Sequence, residues 1–186
     1  MIQTILLAVL ALVVLLVIFV SLRPSAFRIT RSALFSAPPG VVFPHVNDFH
    51  KWEAWSPWAK MDPNAKNTFN GAASGEGAIF SWAGNNQVGE GRMTILESRP
   101  TEFIKIKLEF FKPFTATNTA EFTFKPEGDG TQVTWTMYGN QNFLQKAFTL
   151  VMDCDKMVGG QFEKGLASLK SISEAEAGAA AVRTDS

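Results

Sequence analysis

Residues 102–138 read EFIKIKLEFFKPFTATNTAEFTFKPEGDGTQVTWTMY, and apolar and polar side chains alternate through most of this stretch. The apolar positions are Ile104, Ile106, Leu108 and Phe110, then Phe122 and Phe124, then Val133, Trp135 and Met137. Successive side chains of a strand point to opposite sides of a sheet, so the pattern predicts strands with one apolar face and one polar face. A sheet of this kind is typically antiparallel, with its polar face in water. The turn-forming residues 126–130 predict a tight hairpin between the last two strands.

Strand patterns also occur on the N-terminal side of this region. The predicted strands are 27–35, 68–72, 77–82, 91–97, 102–111, 119–125 and 131–138, separated by Gly, Asn or Pro clusters. Because the later connections are too short for crossover helices, we expect an antiparallel meander. After the first strand, Ser36 followed by Pro38 and Pro39 predicts the start of a short helix, and Asp48 predicts the cap of a second one.

Three tryptophans follow the second of these short helices. Trp52, Trp55 and Trp58 lie within seven residues of one another. Such a group is either a stacking platform on the surface or a small satellite core beneath a loop, and we favour the core.

The sequence changes to a helical period after Phe143. A single stripe of helical spacing contains Leu144, Ala147, Phe148, Val151, Val158, Phe162, Leu166 and Leu169. The stripe predicts one long amphipathic helix that covers the apolar face of the sheet. The pair Gly159-Gly160 predicts a bend or a close approach of another backbone. Residues 173–186 are rich in Glu, Ala and Ser, and we expect a disordered tail there.

The N-terminal segment has a different character. Of the 21 residues from Ile2 to Leu22, 18 are hydrophobic, and a helix of this length spans roughly 31 Å, about the hydrocarbon thickness of a bilayer. Residues 1–23 are therefore predicted to be a transmembrane anchor in the cell (inner) membrane that ends at Arg23-Pro24. A cleaved signal peptide is the alternative, but no basic residue precedes the run and no small-residue cleavage motif follows it.

The side of the membrane is predicted from the flanking charges. Arg23, Arg28 and Arg31 follow the apolar run, which places the domain in the cytoplasm by the positive-inside rule. Arg28 and Arg31 also belong to the first predicted strand, so the periplasmic side stays open.

Composition excludes several classes of function. The 17 basic residues are balanced by 17 acidic ones, so no basic face for nucleic acid is expected. Two histidines, His45 and His50, and one cysteine, Cys154, make a metal site unexpected. We found no nucleophile-elbow, Walker A or dinucleotide-binding motif and expect no cofactor. The sequence leaves the oligomeric state open.

Particular residues resemble a known superfamily. They are Ala37-Pro38 with Val41 to Phe43, Asp48 with Trp52, the run Trp55-Ser56-Pro57-Trp58, Gly75 with Gly77, and the segment Phe162 to Lys170. With the order of elements, they resemble the START-like SRPBCC superfamily, and within it the bacterial polyketide cyclase or dehydrase proteins. The resemblance covers residues 26–172. It implies an α+β helix-grip fold of six or seven strands wrapped around the long C-terminal helix.

The resemblance also implies a cavity between the concave sheet and that helix. Its predicted lining is Phe110, Phe122, Trp135, Met137, Phe148, Val151, Asp155, Val158 and Phe162. A close-packed core made of the same side chains is the alternative. We expect a non-catalytic domain that binds an apolar or amphipathic small molecule, for example a lipid-derived one.

Two other functions stay open. Asp155 falls within the apolar stripe, where a desolvated carboxylate would act as an acid or base in a cyclase or dehydratase, or would instead pair with a nearby arginine. Further polar candidates are Arg92, Glu97, His45, His50 and Tyr138. The last alternative is a ligand-free scaffold whose tryptophan cluster meets a protein partner.

Overall fold

The computed structural model describes residues 1–184 and begins with a long apolar helix. This helix, α1, spans Ile2–Leu22, and its length and hydropathy are sufficient to cross a membrane, a test that signal sequences also pass. Almost all of α1 is exposed, whereas Val20 near its C-terminal end is 1% exposed. An apolar helix that the domain does not cover is not a core helix of that domain.

A seven-stranded antiparallel sheet forms the body of the domain. Its strands are β1 Ala26–Phe35, β2 Lys66–Gly71, β3 Ala78–Ala83, β4 Glu90–Arg99, β5 Phe103–Lys112, β6 Ala116–Glu127 and β7 Gly130–Asn140. Their spatial order is β1-β7-β6-β5-β4-β3-β2. The predicted meander from β2 to β7 is confirmed, and β1 pairs with the last strand of that meander. The β6–β7 hairpin turns at Gly128 and Asp129, as its sequence predicted.

Two short helices follow β1, as predicted. Helix α2 spans Pro39–Asn47 and continues through Pro44, and its N-terminal boundary is Pro38 rather than a Ser36 side-chain cap. A 3₁₀ turn over Phe49–Lys51 leads into α3, Trp52–Trp55. The Asp48 carboxylate accepts a hydrogen bond of 2.9 Å from the His50 backbone N–H, which confirms the predicted cap.

The predicted long C-terminal helix is confirmed, but its predicted start at Phe143 was wrong, because a separate short helix precedes it. Helix α4 spans Phe143–Phe148, helix α5 spans Cys154–Thr184, and residues 149–153 between them are not helical. Asn142 and Gln145 form a capping box at the start of α4. Asp153 accepts a hydrogen bond of 3.0 Å from the Lys156 N–H at the start of α5. Because Asp153 caps a new helix, the apolar stripe that looks continuous in the sequence is divided between two helices.

The far end of α5 also differs from the sequence prediction. We expected a disordered tail over residues 173–186, but the helix continues to Thr184, and residues 185 and 186 lie outside the described part. Glu174 accepts a hydrogen bond of 2.6 Å from the Ser36 N–H. Glu176 lies 2.8 Å from His45 Nε2 on α2. These contacts bind the last turns of α5 to the start of the domain, a stabilisation that local composition does not reveal.

The core lies between α5, the short helices and the concave face of the sheet. The largest fully buried side chains of the domain are Val42, Val46 and Trp55 from the helices after β1; Phe35, Ile95, Ile104, Ile106 and Phe122 from the sheet; and Phe162, Leu166 and Leu169 from α5. The opposite, convex face carries mainly polar side chains, such as the hydrogen-bonded pairs Thr30–Thr136 and Ser32–Thr134. The arrangement is the α+β helix-grip fold that the sequence predicted.

Candidate ligand-binding site

Stacked aromatic rings fill the centre of the concave face. The Phe122 and Trp135 rings are stacked with centroids 4.8 Å apart. The Trp135 and Phe162 rings are 4.1 Å apart and 8° from parallel. Trp52 and Trp55 add edge-on contacts to Trp135. Three of the predicted cavity residues, Phe122, Trp135 and Phe162, therefore pack against one another, and protein occupies the space between them.

The tryptophan cluster belongs to this same core. Trp52 and Trp55 are buried, and their indole N–H groups donate to the backbone carbonyls of Val46 and His45 at 2.9 and 3.0 Å. Trp58 is half-buried and lies edge-on to Trp135. The core interpretation of the cluster is correct, although the cluster joins the main core rather than a satellite. The scaffold alternative needed an exposed tryptophan surface for a protein partner, and the burial of Trp52 and Trp55 removes that surface.

Two buried side-chain polar atoms of the described residues have no hydrogen-bond partner, Trp135 Nε1 and Ser173 Oγ, and the first belongs to the aromatic stack. Trp135 Nε1 is buried and makes no hydrogen bond within the described part of the chain. A buried donor without an acceptor costs about 1–3 kcal/mol. Of the three buried tryptophans, Trp52 and Trp55 donate to backbone carbonyls, whereas the indole N–H of Trp135 has no acceptor within the described residues.

The concave face is less completely covered where β1 begins. We call this the anchor end of the sheet: Ala26 pairs there with Asn140, and Phe110 pairs there with Ala116. Leu108 and Phe110 are only half-buried, whereas Ile104 and Ile106 further along β5 are fully buried. The break between α4 and α5 lies at the same end, because β7 leads directly into α4. The uncovered apolar surface lies where the predicted covering helix is interrupted.

A buried amide accompanies this apolar surface. Asn118 lies on the concave side of β6, two residues from Ala120, and is 9% exposed. Its Oδ1 atom lies directly beside Gly139 on β7, and Leu108 is its partner across β5. A neutral amide offers two donors and an acceptor to a ligand. Asn118 was not among the predicted site residues. A polar side chain at an otherwise apolar position of a strand is the sequence feature that could have identified it.

A cleft of about 610 Å³ opens beside the break. Its walls come from the segment after α1, from the start of β1 and from residues 146–155. Val151 and Asp155, both predicted to line the cavity, lie on its rim, and Val151 is 83% exposed. Phe148 is 50% exposed, and Val158 on α5 is half-buried. Of the nine predicted residues, the structure brings Phe122, Trp135 and Phe162 into one stack and places Phe148, Val151 and Asp155 outside the core.

Asp155 takes part in an ion pair rather than in an apolar pocket. Arg31 reaches from the concave face of β1 and donates to Asp155 Oδ2 at 2.9 Å and to Glu163 Oε1 at 2.7 Å. Its guanidinium lies against Gly159, where any larger residue would collide with it. The predicted close approach at Gly159-Gly160 is therefore made by the Arg31 side chain rather than by another backbone, and α5 continues through both glycines.

This ion pair sets the protonation of Asp155. The hydrogen bond from Arg31 lowers the pKa of the Asp155 carboxyl, and the same bond raises the pKa of Arg31. Asp155 is 60% exposed at its side chain. The proposed acid–base chemistry needed a desolvated carboxyl with a raised pKa, so it loses its main residue.

The other polar candidates do not converge on the concave face. On the convex face, Tyr138 donates to Glu121 at 2.7 Å, and this hydrogen bond together with burial raises the pKa of Tyr138. Arg92 and Glu97 lie on the same convex side, because Arg92 pairs with Glu109 and Glu97 with Lys105.

The two histidines and Cys154 do not form a shared site either. His45 pairs with Glu176, and His50 pairs with Asp48 and stacks on Phe69 with ring centroids 4.1 Å apart. Burial raises the pKa of the Cys154 thiol. Within the residues described, no three His, Cys, Asp or Glu side chains are grouped to hold a metal ion.

Solved structures share this fold. Protein CV1439 from Chromobacterium violaceum is 16% identical with a TM-score of 0.57, covering 82% of this chain and 99% of its own. The Aha1 dimer of Colwellia psychrerythraea is 15% identical with a TM-score of 0.53, covering 80% and 96%. The di-domain ARO/CYC StfQ from the steffimycin biosynthetic pathway is 12% identical with a TM-score of 0.59, covering 83% of this chain and 52% of its own. At these identities the likeness concerns the fold.

Sequence comparison identifies the family. A search of curated proteins gave no match. The model of the family described as polyketide cyclase / dehydrase and lipid transport matches residues 26–174, which is the whole sheet and α5 as far as its contact with Ser36. This chain therefore belongs to the polyketide cyclase / dehydrase and lipid transport family.

Proposed function

We propose that the protein is a membrane-anchored ligand-binding domain that takes an apolar or amphipathic, lipid-derived small molecule at the anchor end of its concave face. The observation that carries this proposal is the half-buried apolar surface of Leu108 and Phe110 beside the buried amide of Asn118. Apolar walls with a few polar groups are typical of small-molecule sites. The family description, which includes lipid transport, supports the same class of ligand.

The position of α1 supports the membrane part of the proposal. Helix α1 is apolar and exposed, and only residues 23–25 separate it from β1. Three residues span at most about 11 Å. A bilayer that held α1 would keep the binding site next to the membrane and raise the effective concentration of a lipid-derived ligand.

Native mass spectrometry of the full chain, released from detergent, tests the proposal. We expect an apolar or amphipathic molecule to remain bound at one copy per chain. Val158 packs against the core one turn of α5 before Phe162. The variant Val158→Trp adds a large ring between α5 and the concave face and should reduce ligand occupancy roughly tenfold, equivalent to about 1.4 kcal/mol. Leu34→Trp is the matched control, because Leu34 is exposed on the convex side of β1 and should leave occupancy unchanged.

Two results would contradict the proposed function. One is a wild-type chain without any bound molecule that also fails to increase the fluorescence of Nile red. The other is equal occupancy in Val158→Trp and wild type, which would move the ligand away from this end of the sheet.

A further inference from the structure

We propose that α4, the loop after it and the tip of the β5–β6 hairpin form a second membrane-contact surface, inserted shallowly beside the anchor. We call it the interfacial surface. Its apolar members are Phe114, Phe143, Leu144, Phe148, Val151 and Met152, all exposed. The inference rests on the proposed attachment of α1 to a bilayer.

The topology places all these residues at one end of the sheet. The β5–β6 hairpin, the start of β1 and the end of β7 meet there, because Ala26 pairs with Asn140 and Phe110 with Ala116. Residues 23–25 connect this same end to α1. The anchor end of the sheet therefore faces the bilayer, and the opposite end, with the β6–β7 turn, faces away from it.

A side chain joins α4 directly to the end of the anchor. Lys146 Nζ donates to the backbone carbonyls of Ser21 and Arg23 at 3.0 and 3.1 Å. These carbonyls belong to the C-terminal turn of α1 and its cap, where a helix lacks internal donors and favours a cation. Val20, one turn earlier, is buried. Helix α4 is thus held at the level where α1 leaves the hydrocarbon, which is the headgroup region.

The exposed apolar residues fit this environment better than water. Single exposed apolar side chains occur on any protein, as Leu34 and Leu96 do here on separate strands. Six large ones at a single end of the domain are a patch of the kind that marks an interaction surface. Because the patch continues the apolar surface of α1, the bilayer is the partner that contacts both without a second protein.

Site-specific fluorescence of the full chain in phosphatidylcholine–phosphatidylglycerol vesicles tests the inference. In a Cys154→Ser background, an environment-sensitive fluorophore is attached at Leu144→Cys or Val151→Cys. The matched controls are Leu12→Cys within α1 and Asp129→Cys in the β6–β7 turn at the opposite end of the sheet. Spin-labelled lipids quench fluorophores in the bilayer, and iodide quenches those in water. Circular dichroism of each variant checks folding.

We expect the labels at residues 144 and 151 to be quenched by spin-labelled lipid and protected from iodide, with the label at residue 129 showing the reverse. If the labels at residues 144 and 151 are quenched by iodide like the label at residue 129, while the label at residue 12 is quenched by lipid, the inference of an interfacial surface is wrong and the proposed membrane attachment of α1 is kept. If residue 12 also escapes lipid quenching, membrane attachment fails and the inference falls with it. Protection of residues 144 and 151 from both quenchers would indicate a protein partner and overturn the inference.

Discussion

Gly165 allows the aromatic stack to contact α5. A Cβ atom at this position would lie 2.9 Å from Trp135 Cζ3 and 3.2 Å from Pro57 Cδ. The Trp135 ring cannot retreat easily, because it is stacked between Phe122 and Phe162. We therefore expect Gly165→Ala to lower the free energy of unfolding by about 1–2 kcal/mol, even though Ala favours the helix. Urea denaturation of the full chain in detergent, followed by tryptophan fluorescence, measures the change.

Gly160 provides the matched control for this substitution. It lies in the same helix, and no atom lies within 4 Å of the Cβ that an alanine would add. Gly160→Ala should raise the free energy of unfolding by roughly 0.5–1 kcal/mol through helix propensity alone. Equal effects of the two substitutions would show that Trp135 does not contact Gly165 closely.

At the scale of elements, two carboxylates fasten α5 to the start of the domain. The hydrogen bond from Arg31 lowers the pKa of Asp155, and that from the Ser36 backbone N–H lowers the pKa of Glu174. Since folding favours the ionised forms, this stabilisation is fully present above the unfolded-state pKa values, about 4. It is lost as the pH falls through the lower folded-state values. The midpoint of urea unfolding should therefore fall on acidification below about pH 4.

The variant Asp155→Asn tests the contribution of the Arg31 contact. We expect a lower unfolding midpoint than wild type at pH 7, and a smaller fall between pH 5 and about pH 3. Added salt should narrow the difference, because Asp155 is largely exposed. Asp129→Asn, in the exposed β6–β7 turn, is the control. An Asp155→Asn variant with the acid sensitivity of wild type would mean that the ion pair does not hold α5.

At the scale of the whole molecule, the charges after α1 predict which side of the membrane the domain occupies. Arg23, Arg28 and Arg31 follow α1, and no basic residue precedes it within the chain. We expect a C-terminal fusion to green fluorescent protein to be fluorescent and a fusion to alkaline phosphatase to be inactive. The reverse pattern would place the domain in the periplasm. It would also show that Arg28 and Arg31 serve the folded strand β1 and do not determine the orientation in the membrane.

Local sequence pattern determined the architecture of this protein. The alternation in residues 102–138, the turn at Gly128 and Asp129, the Asp48 cap and the apolar run of α1 all lie where the sequence placed them. Each of these depends on neighbours close in the chain, because strand alternation, caps and apolar length are read within a few residues. Charge balance likewise follows from composition alone.

Tertiary structure alone decided how the concave face is used. Trp135 stacks on Phe162 across the sheet–helix interface, so a stripe that could have lined a cavity fills the centre instead. Arg31 donates a hydrogen bond to Asp155, which lies 124 residues later in the chain, and Asn118 is buried on the concave face beside Leu108. Ring packing and ion pairs between distant segments depend on distances in space, which hydrophobic spacing along the chain does not contain. The sequence alone therefore determined the sheet, the two short helices after β1 and the apolar helix, whereas the fold decided where the covering helix is interrupted and which residues are available to a ligand.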